Sequence, residues 1–425
     1  MAQEERSPAA WVPTLYFAQG LPYILITSVA GLALLRLGWT AVEVAAYTSG
    51  LTLPWVVKPL WGTVVERVGT RRGWIVAMQV GVGLLTGALA LTLPNREWLP
   101  VTLGLMLGIG FVSATHDIAA DGFYLLALGP GRQAAWSGVR SAAFRVATVT
   151  GTGGLVWLAG QWEKTWGVGP AWTGVFGLAT AGLLALSGYH GFFLPRPAGD
   201  ERPKVLEAWG EEFVRTFSTF VQRPGFGRML GFMLFYRIGE IQLLKGNMPF
   251  FLAERTEGGL GLSTGQIGLM YGTLGVLAML GGGIAGGLMI ARTGLRRQMW
   301  WMAAAMNVPH GIYLWLAWAQ PASLGVIGAG VVVEQLGYGY GFAAYLMYLL
   351  YVARGAHPTA HYALCSGTMA LGVMVAGLAG AEALEWCAGD YRSFFGWIMV
   401  CSALSFATLW RLPLEAGFGQ REKRI

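Results

Sequence analysis

The stretch GTVVERVGTRR, residues 62–72, recurs at a fixed shift of 225 positions: Gly62, Arg67, Gly69, Arg71 and Arg72 fall on Gly287, Arg292, Gly294, Arg296 and Arg297. Both copies stand at the exit of the second apolar run of their half, so the chain reads as a duplication. A helix needs about 20 apolar residues to cross ~30 Å of hydrocarbon. Runs of that size occupy 11–35, 42–63, 74–94, 98–128, 135–160 and 170–194, then 226–253, 266–291, 298–319, 322–353, 361–386 and 392–412; they are numbered spans 1 to 12. The expected fold is an all-α membrane protein, with twelve transmembrane helices in two pseudo-symmetric six-helix bundles. The expected domains are 1–194, a linker at 195–225, and 226–425. The short alternating segments of a lipid-facing β-barrel are absent from the sequence.

Composition agrees, with 55% hydrophobic and 12% charged residues against roughly 25% charged in soluble domains. The net charge of +7 raises the possibility of an acidic partner such as nucleic acid, but its placement argues against one. If the N-terminus is cytoplasmic, that side holds Arg6, Arg67, Arg71, Arg72, Arg132, Arg196, Arg202, Lys204, Arg215, Arg223, Arg292, Arg296, Arg297, Arg354, Arg421, Lys423 and Arg424. The other side holds only Arg36, Arg96, Lys164, Arg255 and Arg392. This is the positive-inside pattern, and it predicts that both termini are cytoplasmic. No cleavable signal is expected before span 1. Cys365, Cys387 and Cys401 are widely spaced and read as core thiols rather than a disulfide framework.

The linker combines Pro195, Pro197 and Pro203 with a helix-like stretch at 204–222. Its apolar positions Val205, Ala208, Trp209, Phe213, Phe217 and Phe220 suit the membrane interface. Gly151, Gly153 and Gly154 in span 5, and Gly281, Gly282, Gly283, Gly286 and Gly287 in span 8, permit close helix approach.

Ionisable residues inside spans are costly and mark function. Asp117 and Asp121 sit one turn apart in span 4, about 16 and 10 Å from its inner end at 1.5 Å per residue. Arg145 and Arg140 in span 5 lie at nearly the same two depths, and antiparallel neighbours at matching depth can pair. Span 7 places Arg237 and Glu240 on one face, with Lys245 further out, and span 10 carries Glu334 beside Gln335. Acids from both halves are expected to face a wet central cleft, with Glu240 and Glu334 foremost as proton carriers, then Asp117, with Asp121 nearest the inner mouth. Static ion pairs that fix helix packing are the plainer alternative. Arg145, Arg140, Arg237 and Lys245 are candidate charge partners or anion-binding groups. Gln19, Tyr16, Tyr23, Tyr236, Gln335, Asn247 and His116 are candidate cavity residues. His116 points to a different face from Asp117 and reads either as structural or as a proton relay.

Residues 62–72 resemble the signature loop of the major facilitator superfamily. The resemblance implies two six-helix halves that alternate between inward-open and outward-open states, with Gly62, Glu66, Arg67, Gly69, Arg71 and Arg72 as the gating loop. Glu66 stands where Asp is usual, and Ala291 leaves the second copy without its acid. Tyr16-Phe-Ala-Gln19-Gly20-Leu-Pro22, Lys58-Pro59-Leu-Trp61-Gly62 and Thr115-His-Asp117-Ile-Ala-Ala-Asp121-Gly122 resemble the branch of AmpG-like muropeptide permeases, acetyl-CoA transporters and ferri-siderophore importers. Tyr236-Arg237-Ile-Gly239-Glu240 and the Gly-rich run from Glu334 to Gly341 resemble its AmpG-like members most. His116 replaces the usual Gln, and Gly122-Phe123 is nearer the acetyl-CoA transporters.

The resemblance implies proton-driven import of a muropeptide-like solute; a ferri-siderophore or acyl-CoA transporter, or an uncoupled facilitator or exporter, are the alternatives. Compact loops favour the bacterial inner membrane. The expected partners are a small-molecule substrate, protons and the bilayer, with no nucleic acid and a functional monomer. No enzyme, cofactor or metal is expected: HExxH and GxxxxGK[ST] motifs are missing, and Pro358 interrupts the pair His357 and His361.

Overall fold

The computed structural model describes all residues except 1–5, 40–42, 45–47, 49, 201–208, 263 and 421–425, and helix is the regular structure of the described chain. Seven helices are long and apolar enough to cross a membrane: Pro8–Arg36, Arg71–Thr92, Arg96–Ala127, Val168–Phe193, Gly268–Thr293, Leu324–Ala353 and Pro358–Trp386. They realise spans 1, 3, 4, 6, 8, 10 and 11.

The other spans are shorter or interrupted, and most interruptions have a visible cause. Span 2, of which 42, 45–47 and 49 lie outside the described set, includes Leu53–Val57, a tight turn Lys58–Trp61 and Gly62–Arg67. Pro54 and Pro59 each remove a backbone donor there. Span 7 breaks between Phe226–Phe235 and Ile238–Leu252, with Arg237 at φ −106° and ψ 11° in the gap. Span 9 breaks between Leu295–Asn307 and His310–Ala319, at Pro309. Span 5 runs as Pro130–Val149, a widened turn Thr150–Leu155 and Val156–Trp166. Widened turns also occur at Leu25–Val29 and Gly268–Gly275, a distortion common at functional sites. Span 12 is Tyr391–Ala407, capped by the Asp390 carboxylate, which accepts from Arg392 and Ser393 N–H.

The chain divides into two compact units that each borrow a segment from the opposite sequence half. The first comprises Met1–Ala127, Arg140–Phe217 and Gly355–Gly367; the second comprises Leu128–Val139, Ser218–Arg354 and Thr368–Ile425. Small residues explain both borrowed segments. In the first unit a Cβ on Gly62 would meet Ala363 and Ala360, one on Gly122 would strike Thr359, and one on Gly367 would strike Pro59. In the second, Gly138 lies against the Gly283 carbonyl, and Gly287 against Ala134 and Ser137. Gly282 and Gly286 seat span 8 on the backbone of span 10, whereas Gly281 and Gly154 face open space.

Each unit has its own apolar core. In the first it includes Leu21, Ile24, Ile26, Leu89, Met106, Trp172 and Phe176. In the second it includes Phe250, Phe251, Tyr313, Leu316, Phe394, Phe395 and Ile398. Large apolar side chains are also exposed, Leu91 by 76%, Trp157 by 66%, Leu378 by 63% and Val400 by 65%, far beyond what an aqueous surface tolerates. They suit hydrocarbon as solvent.

The described part of the linker is bonded to span 3. Asp200 accepts from the backbone N–H of Arg71 at 2.7 Å and of Arg72 at 3.1 Å, joining Thr70 in capping span 3. Of the expected helix at 204–222, Trp209–Val221 is observed; Lys204, Val205 and Ala208 lie outside the described residues, as do Arg202, Arg421, Lys423 and Arg424. Phe220 packs edge-on against Phe226, while Val214, Phe217 and Val221 are exposed.

Candidate functional site

Each unit encloses a buried cluster of charged side chains. In the first, spans 1, 4 and 5 supply residues expected from the sequence, and spans 2 and 11 add Lys58 and Tyr362. Asp121 takes Arg140 at 2.6 Å and the Tyr16 hydroxyl at 3.1 Å. Arg140 also donates to the Tyr362 hydroxyl at 2.9 Å. Its guanidinium lies 4.4 Å from the centre of the Tyr16 ring, 5.4 Å from Tyr362 and 5.6 Å from Tyr124. Three ring faces thus surround one buried cation, and such contacts strengthen with desolvation. Arg140 Nη1 and Gln19 Oε1 are buried without a hydrogen-bond partner.

The pairing of Asp117 with Arg145 is not what forms. Asp117 is bonded instead to the Lys58 ammonium, and both groups are buried. Matching depth on neighbouring spans allowed Arg145, but the tight turn at Lys58–Trp61 swings Lys58 into the bundle at the height of Asp117. Two prolines flanking a lone intramembrane lysine were the available signal. Arg145 is half-buried, and Tyr23 stands edge-on to Trp55 with ring centres 4.9 Å apart. His116 turns towards Gln79 of span 3.

The second cluster joins spans 7, 8, 9 and 10. Arg237, freed by the break in span 7, pairs with Glu240 at 2.9 Å and donates to the Tyr338 hydroxyl at 3.3 Å. Its guanidinium lies 4.6 Å from the Phe342 ring centre. Glu334 accepts from Gln335 at 2.8 Å and from the Tyr313 hydroxyl at 3.2 Å. Asn247 donates to the Tyr271 hydroxyl at 3.2 Å. Tyr236 donates to the Gly341 carbonyl and stacks at 12° on Tyr345. Lys245 is exposed, beside Gly377. Tyr313 was missed in the sequence because nothing distinguishes it from core aromatics.

The four fully buried acids therefore differ in kind. Asp117, Asp121 and Glu240 each face a cation, whereas the hydrogen bonds to Glu334 come from an amide and a phenol. Separating a buried ion pair is costly, so Glu334 is the acid that can change charge without breaking one.

The loop at 62–72 has its own geometry. Glu66 accepts from the backbone N–H of Thr359 at 3.3 Å and of Ala360 at 3.2 Å, at the N-terminus of Pro358–Trp386. Arg71 reaches Glu66 at 3.4 Å and donates to Thr359 Oγ1 at 2.9 Å. Burial pushes the Glu66 carboxyl above the usual glutamate range, opposed by Arg71 and the two backbone donors. The corresponding loop of the second copy is backed by the tail instead, with Leu295 N–H on the Phe418 carbonyl at 2.8 Å and Gln420 on the Arg292 carbonyl at 3.0 Å. Among the described residues no three potential metal ligands gather.

Known structures share this fold. The Escherichia coli fucose:proton symporter FucP superposes with a TM-score of 0.71 at 12% identity, over 96% of this chain and 99% of that one. The human organic anion transporter MFSD10 gives 0.66 at 16% identity, over 95% and 98%. The chain has the all-helical fold of these two transporters, and its long apolar helices are those of a multi-pass membrane protein. No family model matches the chain. The anhydromuropeptide permease of Escherichia coli is 26% identical over 388 residues, covering 88% of this chain and 74% of the permease. A putative AmpG transporter of Rickettsia felis is 22% identical over 373 residues, covering 84% of this chain and 85% of that one.

Proposed function

We propose that the protein imports an amphiphilic sugar-peptide of the anhydromuropeptide class across a bacterial inner membrane by alternating access, driven by protons. The observation that carries the coupling is Glu334, a buried acid held by neutral donors. It can take up a proton and lose it again while Arg237 stays bound to Glu240. Three acids tied to cations act as the framework around it. The caged Arg140, with Nη1 unused, and Gln19, with Oε1 unused, supply a donor and an acceptor for the polar part of a solute. Exposed and half-buried rings such as Tyr23 suit stacking on a sugar. The AmpG-like relatives support the substrate class, and the basic loops support a cytoplasmic position for both termini.

Reconstitution in proteoliposomes tests this reading. Anhydromuropeptide uptake should rise with an inward proton gradient and collapse with an uncoupler; uptake indifferent to the gradient indicates a facilitator. A thermal-shift comparison tests the substrate, since a ligand that binds only the folded state raises apparent stability. A larger shift from acyl-CoA or a ferri-siderophore overturns the substrate class.

A further inference from the structure

A second buried polar network lies in the first unit. Gln79 of span 3 bridges two imidazoles: its Nε2 is 2.9 Å from His116 Nε2, and its Oε1 is 2.9 Å from His190 Nδ1. His190 Nε2 lies 3.0 Å from Thr14 Oγ1, whose hydroxyl is also 3.2 Å from the Trp11 carbonyl. Gln79 and both histidines are at most 2% exposed.

Donor and acceptor inventory constrains this chain strictly. An amide NH2 only donates and an amide oxygen only accepts. The ring that faces the NH2 must therefore present a bare nitrogen and be neutral; only the ring that faces the oxygen can carry both protons. Turning the amide over exchanges the two roles but keeps the rule. As the amide stands, His116 is the neutral ring. His190 has an acceptor at each nitrogen when the Thr14 hydroxyl donates to Trp11, so an imidazolium fits there; when His190 is neutral, Thr14 donates to it instead.

We propose that His116 and His190 form one proton-binding site spread over two rings, which holds a single proton and admits an imidazolium at either position but never at both. The surrounding charges set the balance between the positions. Around His116 they are Asp117 on its own helix and Lys58 of span 2, bonded to each other. Around His190 they are Arg72, bonded to the Gly191 carbonyl, and Arg6, bonded to the Phe192 carbonyl, with Tyr189 adjacent in the chain. A charge at His116 stands beside the Asp117–Lys58 pair, and a charge at His190 joins two arginines. Any role for the site in transport rests on the proton-coupled reading; the site itself does not.

Imidazole 15N NMR of the full-length protein in nanodiscs, without substrate or gradient, counts the protons directly, with signals assigned through His116→Gln and His190→Gln. On acidification the two rings should together reach one imidazolium per molecule. Gln79→Glu puts an acceptor against both rings and should raise the total to two. Two imidazoliums in the unmodified protein, none before the fold is lost, or an unchanged total in Gln79→Glu would each overturn the site. Gradient-independent uptake would remove the coupled reading while leaving this titration as it stands.

Discussion

At the residue scale the decisive fact is which buried acids have a cation. Lys58 and Asp117 are both nearly inaccessible, so Lys58→Met strands a carboxylate. We expect a loss of about 3–5 kcal/mol, the usual cost of breaking a buried pair from one side. Adding Asp117→Leu should recover most of it, because an apolar pair of similar volume has no charge to desolvate. Thermal unfolding in detergent checks both variants, and an equally unstable double variant counts against the pair. The sequence showed Asp117, Asp121, Arg140, Arg237 and Glu240 as an intramembrane charge set, because charge in an apolar run is visible without any structure. It did not show Lys58 as the partner of Asp117, since helical depth assumes regular spans and span 2 is not regular.

At the scale of elements, the loop after span 2 was legible as a repeat, yet its work was not. Glu66 binds backbone 293 positions away, a distance over which no local pattern speaks. Its carboxylate sits on the N-terminus of Pro358–Trp386, where unpaired N–H groups and the helix dipole favour an anion. Burial nevertheless raises its pKa, and that fixes a sign. A raised value stabilises the fold most while the acid is neutral, below the ordinary glutamate range. This contribution is lost as pH rises through the folded-state value. The melting temperature of the unmodified protein minus that of Glu66→Gln should therefore fall as pH rises through that window. A difference that is flat or grows with pH contradicts this account. The linker offers a second test. Asp200 caps span 3 through two backbone donors, and Asp200→Ala should cost about 1 kcal/mol, the typical value of a lost N-cap.

At the scale of the whole molecule, duplication predicts like parts, and the two units keep the plan while diverging in detail. Each buries an arginine against aromatic rings and an acid, Arg140 with Asp121 and Arg237 with Glu240. Among the described residues, the second adds a buried acid, Glu334, bonded to neutral groups. This asymmetry is what the proposed proton coupling requires, paired acids as a framework beside one acid that can change charge, and two substitutions resolve the roles. Glu240→Gln leaves the Arg237 cation without its charged partner and should unfold at lower temperature, by a margin of about 3–5 kcal/mol. Glu334→Gln replaces a group with no ion pair by one of equal size that still accepts from Tyr313. It should fold normally and keep its ligand-induced stabilisation, about 2.7 kcal/mol at a hundredfold excess over Kd. What it cannot do is release a proton. Accumulation of substrate under a proton gradient should disappear in Glu334→Gln, while exchange of substrate across a membrane without a gradient continues. Retained accumulation in that variant would move the coupling to another acid, and loss of both accumulation and exchange would show that Glu334 serves binding rather than energy transfer.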